Sequence, residues 1–109
     1  MHFRHQQFID SIHSKTKLSV TFYGKEDGKE RTRVCAPMDF GPSRRAKDQS
    51  DRYHLWDYDS TARTHTLNLL PEQIARIEVL DEKFDPAEFV TWDTRKSTWF
   101  VDRNWGIYS

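Results

Sequence analysis

At 109 residues the chain has room for one domain built around one modest core. Hydrophobic residues at 36% and charged residues at 31% exclude a disordered polyelectrolyte and fit a globular protein. Seventeen Lys and Arg balance seventeen Asp and Glu, which argues against a generic polyanion binder. The balance is uneven along the chain, because residues 1–54 carry eleven basic against seven acidic side chains and residues 55–109 carry six against ten. The single Cys35 rules out an intrachain disulfide and a cysteine-based zinc knuckle, and its strand context reads as a small buried hydrophobe. No apolar run approaches the roughly 20 residues of a membrane span, and the first residues lack a signal-like apolar core. A cytoplasmic protein with no membrane association is the expectation.

Taken in order, Phe8, Ile9 and Ile12 recur at helical spacing in an otherwise polar stretch, which predicts a short amphipathic helix between Arg4 and Lys15. From Lys17 the period becomes two, with Leu18, Val20 and Phe22 alternating against Ser19, Thr21 and Tyr23. Gly24 to Gly28 supplies a turn, and Arg31–Ala36 returns as the second strand of a hairpin. Pro37, without an amide hydrogen, is expected to end that strand or to lie at an edge. A long polar loop from Gly41 to Asp51 carries Arg44, Arg45 and Lys47. Strands Arg52–Tyr58 and Arg63–Leu69 follow, joined by a turn at Asp59 and Ser60. Pro71-Glu72-Gln73 reads as a helical turn before a last strand with Ile74, Ile77 and Val79. Asp85-Pro86 is a helix start, with Phe84 and Phe89 at the spacing of a hydrophobic staple, so a short helix is expected near 86–90. The tail from Trp92 to Ser109 is rich in aromatics, expected to pack as a strand or an irregular cover rather than stand in water.

These pieces, in this order, resemble the WYL domain of bacterial regulators. They are the short helix at Phe8–Ile12, the strand Leu18–Tyr23, Arg33-Val34-Cys35-Ala36-Pro37 before a loop, Tyr53-His54-Leu55 in place of the naming triplet, and Ile74–Phe84 as the closing strand. The resemblance covers about residues 8–84 and leaves 85–109 as a helix plus aromatic tail. It implies a mainly β fold, a small five-stranded Sm/SH3-like barrel with an N-terminal helix. The family usually attaches this barrel to a DNA-binding helix-turn-helix, for which 109 residues leave no room, so the expectation is a stand-alone, single WYL-like domain over 1–109. Only Leu55 of the triplet is literal. His65 and Asn68 stand where the family has arginines thought to line its ligand site.

Arginine forks grip phosphate and aromatic rings stack on bases, so a basic-aromatic surface suits a nucleotide or single-stranded nucleic acid. The candidate ligand-binding residues are Arg31, Arg33, His54, His65, Arg44 and Arg45. The bland alternative pairs Arg31 and Arg33 with carboxylates at the surface and places Tyr53 and Trp56 in the core. The histidines show no metal spacing, and neither a nucleophile motif nor a glycine-rich phosphate loop is present, so no enzyme activity, metal or cofactor is expected. The leading expectation is a regulatory or sensory binding module. The alternative is a protein–protein adaptor or homodimerisation module that docks through Trp99, Trp105 and Tyr108.

Overall fold

The computed structural model describes residues 2–43, 47–61 and 64–109. A helix α1 (His5–Ser14) is followed by strands β1 (Thr16–Tyr23), β2 (Glu30–Pro42), β3 (Asp51–Asp57), β4 (Thr66–Leu69) and β5 (Ile74–Lys83). The strands form one antiparallel sheet in the order β4-β3-β2-β1-β5. The mainly β reading with five strands and an N-terminal helix therefore holds. Closure into a barrel is not seen, because β4 and β5 occupy opposite edges of the sheet. β4 has only four residues, since Leu70 runs into Pro71 and a 3-10 turn over Pro71–Gln73. No helix among the described residues is long and apolar enough to cross a membrane.

α1 lays Phe8 and Ile12, both fully buried, across one face of the sheet. It stops at Lys15, whose φ of 56° is left-handed and whose amide returns to the Ser11 carbonyl. The chain thus reverses into β1 within one residue. β1 then alternates as its sequence demands, with Thr16, Leu18, Val20 and Phe22 inward. The β1–β2 hairpin runs from Leu18 opposite Cys35 to Tyr23 opposite Glu30, as the alternation predicted. Its turn closes through the Gly24 amide on the Lys29 carbonyl at 2.9 Å, with Gly28 at φ +66°.

β2 does not end at Pro37. It runs on to Pro42, so Gly41 and Pro42 belong to the strand and not to the loop. The ladder to β1 stops at Cys35 while the ladder to β3 continues through Pro37 opposite Leu55. Pro37 therefore sits where β2 has a neighbour on one side only, which is where a missing amide hydrogen is tolerated. A bulge follows between Pro37 and Asp39. Its extra residue reverses the alternation, so Phe40 faces Tyr53 in the core while Asp39 lies opposite His54 on the other face. Without the bulge, Asp39 would share the core side with Cys35 and Pro37.

Past β5, Asp85 caps the 3-10 turn Pro86–Glu88 in a capping box: its carboxylate accepts the Ala87 amide at 3.0 Å and the Glu88 amide, and the Glu88 side chain accepts the Asp85 amide at 3.1 Å. Phe84 and Phe89 meet with ring centres 5.7 Å apart, the staple the spacing predicted. The tail forms no strand. It is an irregular cover in which Trp105 is buried against Phe84 and Phe89 and gives its indole N–H to the Ile12 carbonyl at 2.8 Å.

Candidate ligand cleft between the sheet and the tail

The bulge in β2 and the tail together make a site. On the sheet face opposite α1, β3 and β4 place His54 beside Asn68 and Trp56 beside Thr66 as cross-strand neighbours. The tail crosses above them, and between the two layers lies a cleft of about 310 Å³. His54, Thr66 and Asn68 form its floor, Ser43 and Pro42 one end, and Trp92, Trp99 and Phe100 its aromatic wall. At Gly41 the approach of the tail is so close that a Cβ would fall 2.4 Å from the Phe100 ring, so glycine is needed there.

Asp39 holds the tail in place. Its carboxylate accepts the amides of Phe100 and Val101, each at 3.0 Å, and the Phe40 amide at the same distance. Arg103 completes the set with a hydrogen bond of 3.2 Å to the same carboxylate. The Arg103 guanidinium also donates to the carbonyls of Met38 and Val101. It is enclosed by indoles, 3.8 Å from the Trp99 ring centre and 4.5 Å from that of Trp105. Burial pulls the Arg103 pKa down to about 10 against the opposing pull of Asp39, so the side chain is still charged at neutral pH. A buried ion pair with each guanidinium nitrogen engaged is a fixed wall for the cleft, not a ligand group.

His54 is held at both nitrogens. Nε2 is 2.9 Å from the Gly41 carbonyl and Nδ1 is 2.7 Å from the Asn68 side-chain amide. A carbonyl only accepts, so Nε2 carries a hydrogen. His65 lies on the same side as His54 but outside the cleft. It stacks on Trp56 with ring centres 5.0 Å apart and donates from Nδ1 to the Asp57 carbonyl at 2.9 Å.

The arginines of the second strand are elsewhere. Register places Arg31 opposite Phe22 and Arg33 opposite Val20, on the α1 side of the sheet and away from His54. Arg31 donates to Asp27 in the hairpin turn at 2.6 Å, and Arg33 lies 3.5 Å from the buried Asp57 carboxylate. Arg44 and Arg45 lie outside the described residues. Of the tail residues proposed for docking, Trp105 is core, while Trp99 and Tyr108 are half-buried and joined by the Trp99 indole N–H on the Tyr108 carbonyl at 2.8 Å. Cys35 is fully buried, and burial raises its thiol pKa.

Sequence reasoning missed Asp39 and Arg103. Two signals were present: a lone carboxylate between the apolar Met38 and Phe40, and a lone arginine set between Trp99 and Trp105. Trp92, Thr66 and Ser43 carried no signal, because their convergence depends on the path of the tail. Compared with protein-family models, curated proteins and solved structures, the chain finds no match.

Proposed function

We propose that this chain is a WYL-like, SH3-like binding module that takes a planar ligand of the nucleotide class in the cleft between the β3–β4 face and the tail. The observation that supports the reading is the pairing of an aromatic wall with a polar floor. Trp92, Trp99 and Phe100 offer ring faces, and Thr66 and Asn68 offer hydrogen-bonding groups beside a His54 already held at both nitrogens. A base stacked on an exposed indole gains about 1–3 kcal/mol by alanine substitution, with orientation left to the polar side. The chain passes directly from Ser43, at one end of the cleft, into Arg44 and Arg45, and these supply the cations for a phosphate. This moves the ligand away from Arg31 and Arg33, whose partners are Asp27 and Asp57. Regulation would come from a change in loop order or partner affinity when the cleft fills. Docking of a protein partner through the tail would have to use the exposed Phe100 and Ile107, since Trp105 is inside the core.

The test is a titration with nucleoside monophosphates, nucleosides and short single-stranded oligonucleotides, read by tryptophan fluorescence and calorimetry. Trp92→Ala is expected to weaken binding about tenfold. Arg44→Ala with Arg45→Ala is expected to weaken the nucleotides more than the nucleosides, and Arg31→Ala to change nothing. Absence of binding at low salt for every probe would overturn the proposal.

A further inference from the structure

The hydrogen bonds of His54 decide which chemical edge the cleft reads, given the ligand reading above. Nε2 donates to the Gly41 carbonyl at 2.9 Å, so in a neutral ring Nδ1 has a lone pair and no hydrogen. The Oδ1 end of the Asn68 amide lies 2.7 Å from that nitrogen. Two acceptors at this distance form no bond. The orientation of an amide follows from its hydrogen-bond network, so beside a neutral His54 ring the Asn68 amide is turned the other way round, with Nδ2–H donating to Nδ1. Its oxygen then points away from His54, and the exposed Asn68 lines the cleft.

From this network we propose that Asn68 is a fixed hydrogen-bond acceptor for the cleft and selects ligands that present an exocyclic amine, as an aminopurine or aminopyrimidine ring does. His54 has both nitrogens spent inside the protein and acts as a positioning residue, holding the amide in one orientation. A hydroxyl both donates and accepts, so those of Ser43, Thr66, Ser97 and Thr98 along the cleft do not discriminate, and the Asp39 carboxylate is taken up by three amides and Arg103. Asn68 is the group in the floor that does. A ring carrying a carbonyl at the same point would set oxygen against oxygen, with the acceptor desolvated and unpaired.

The experiment compares adenosine monophosphate, the purine nucleotide lacking the 6-amino group, and inosine monophosphate with its 6-oxo group, by calorimetry on the full chain. Adenosine monophosphate is expected to bind about tenfold more tightly than either analogue, the scale of one neutral hydrogen bond left unmade. Asn68→Ala should bring the three within about twofold of one another, and so should His54→Ala by releasing the amide. Trp92→Ala should weaken all three together and keep the ratio. Equal binding of the three to the native chain, or tighter binding of the 6-oxo nucleotide, overturns the inference while leaving the cleft as the site. Failure of all three to bind overturns both readings.

Discussion

The two faces of the sheet are covered in different ways. On one side α1 contributes Phe8 and Ile12, fully buried, and its hold on the sheet is apolar contact spread over several strands. On the other side an irregular tail is tied to the Asp39 carboxylate of β2 through two tail amides, those of Phe100 and Val101, and one arginine. Apolar burial is non-directional and tolerant of small shifts, whereas a buried ion pair fixes one geometry and fails when either partner is lost. The cleft lies on the side with the directional lock, where the tail must stand clear of the sheet by a set distance.

Two substitutions separate these modes of attachment. Phe8→Ala removes a fully buried ring in edge contact with Tyr53 at 4.8 Å and is expected to cost about 4 kcal/mol. Urea denaturation should show one cooperative transition at lower denaturant with an unchanged slope. Arg103→Met fills a similar volume but leaves Asp39 without its counter-charge. The cost is expected to be about 3 kcal/mol, at the low end for breaking a buried pair, because Asp39 keeps its three amides. Hydrogen exchange should then report loss of protection at Phe100 and Val101 ahead of the sheet, and the cleft should lose its ligand. Equal loss of protection in α1 and in the tail would mean the two covers are a single cooperative unit.

A smaller effect distinguishes the start of α1 from the rest of its face. The Tyr53 hydroxyl meets the His2 amide at 3.0 Å and His5 Nδ1 at 2.9 Å. His2 accepts the Arg4 amide at Nδ1 and reaches the Ile74 carbonyl through Nε2, which requires a neutral ring. Burial lowers the pKa of both His2 and His5 below the ordinary 6.5. The unfolded chain therefore binds these protons more readily than the folded one. Stability is full above about pH 6.5 and falls as the pH drops below it toward the folded values. Melting temperature is expected to decline by a few degrees (about 3–5) between pH 7 and pH 5, and less in a variant with His2→Ala and His5→Ala. An identical decline in the variant would place the acid-sensitive groups elsewhere.

The contrast between the faces also explains how much was legible in the sequence. α1, the hairpin and the Phe84–Phe89 staple follow local rules of period and capping, and those rules operate within a few residues. The cleft depends on two events without such a signature. One is the bulge after Pro37, which moves Asp39 across the sheet against its alternation. The other is the meeting of Arg103 with Met38 and Asp39, more than sixty residues earlier in the chain. Arg31 and Arg33 are not brought to His54, because they lie on strand sides that only the register could reveal. The five strands and their order in one sheet are observed without closure into a barrel, and β4, with Pro71 close behind it, has four residues.

The smallest expected effects concern those two arginines, and they divide by burial. Arg33 stands against Asp57, which is buried and also accepts the Asp59 amide at 2.9 Å. Arg33→Ala leaves that carboxylate partly compensated and is expected to cost about 1 kcal/mol. Arg31 holds Asp27 well below the usual carboxylate range, at about 2, with help from the Lys29 amide. Any stability from Asp27 is present above pH 3.8 and fades only as the pH falls through about 2. Asp27 lies in the exposed turn and Arg31 near the start of β2, where solvent screens the pair, so Arg31→Ala is expected to leave the urea midpoint at neutral pH unchanged within error. A clear loss of stability in Arg31→Ala would show that the hairpin turn, rather than the strand ladder, fixes the register between β1 and β2.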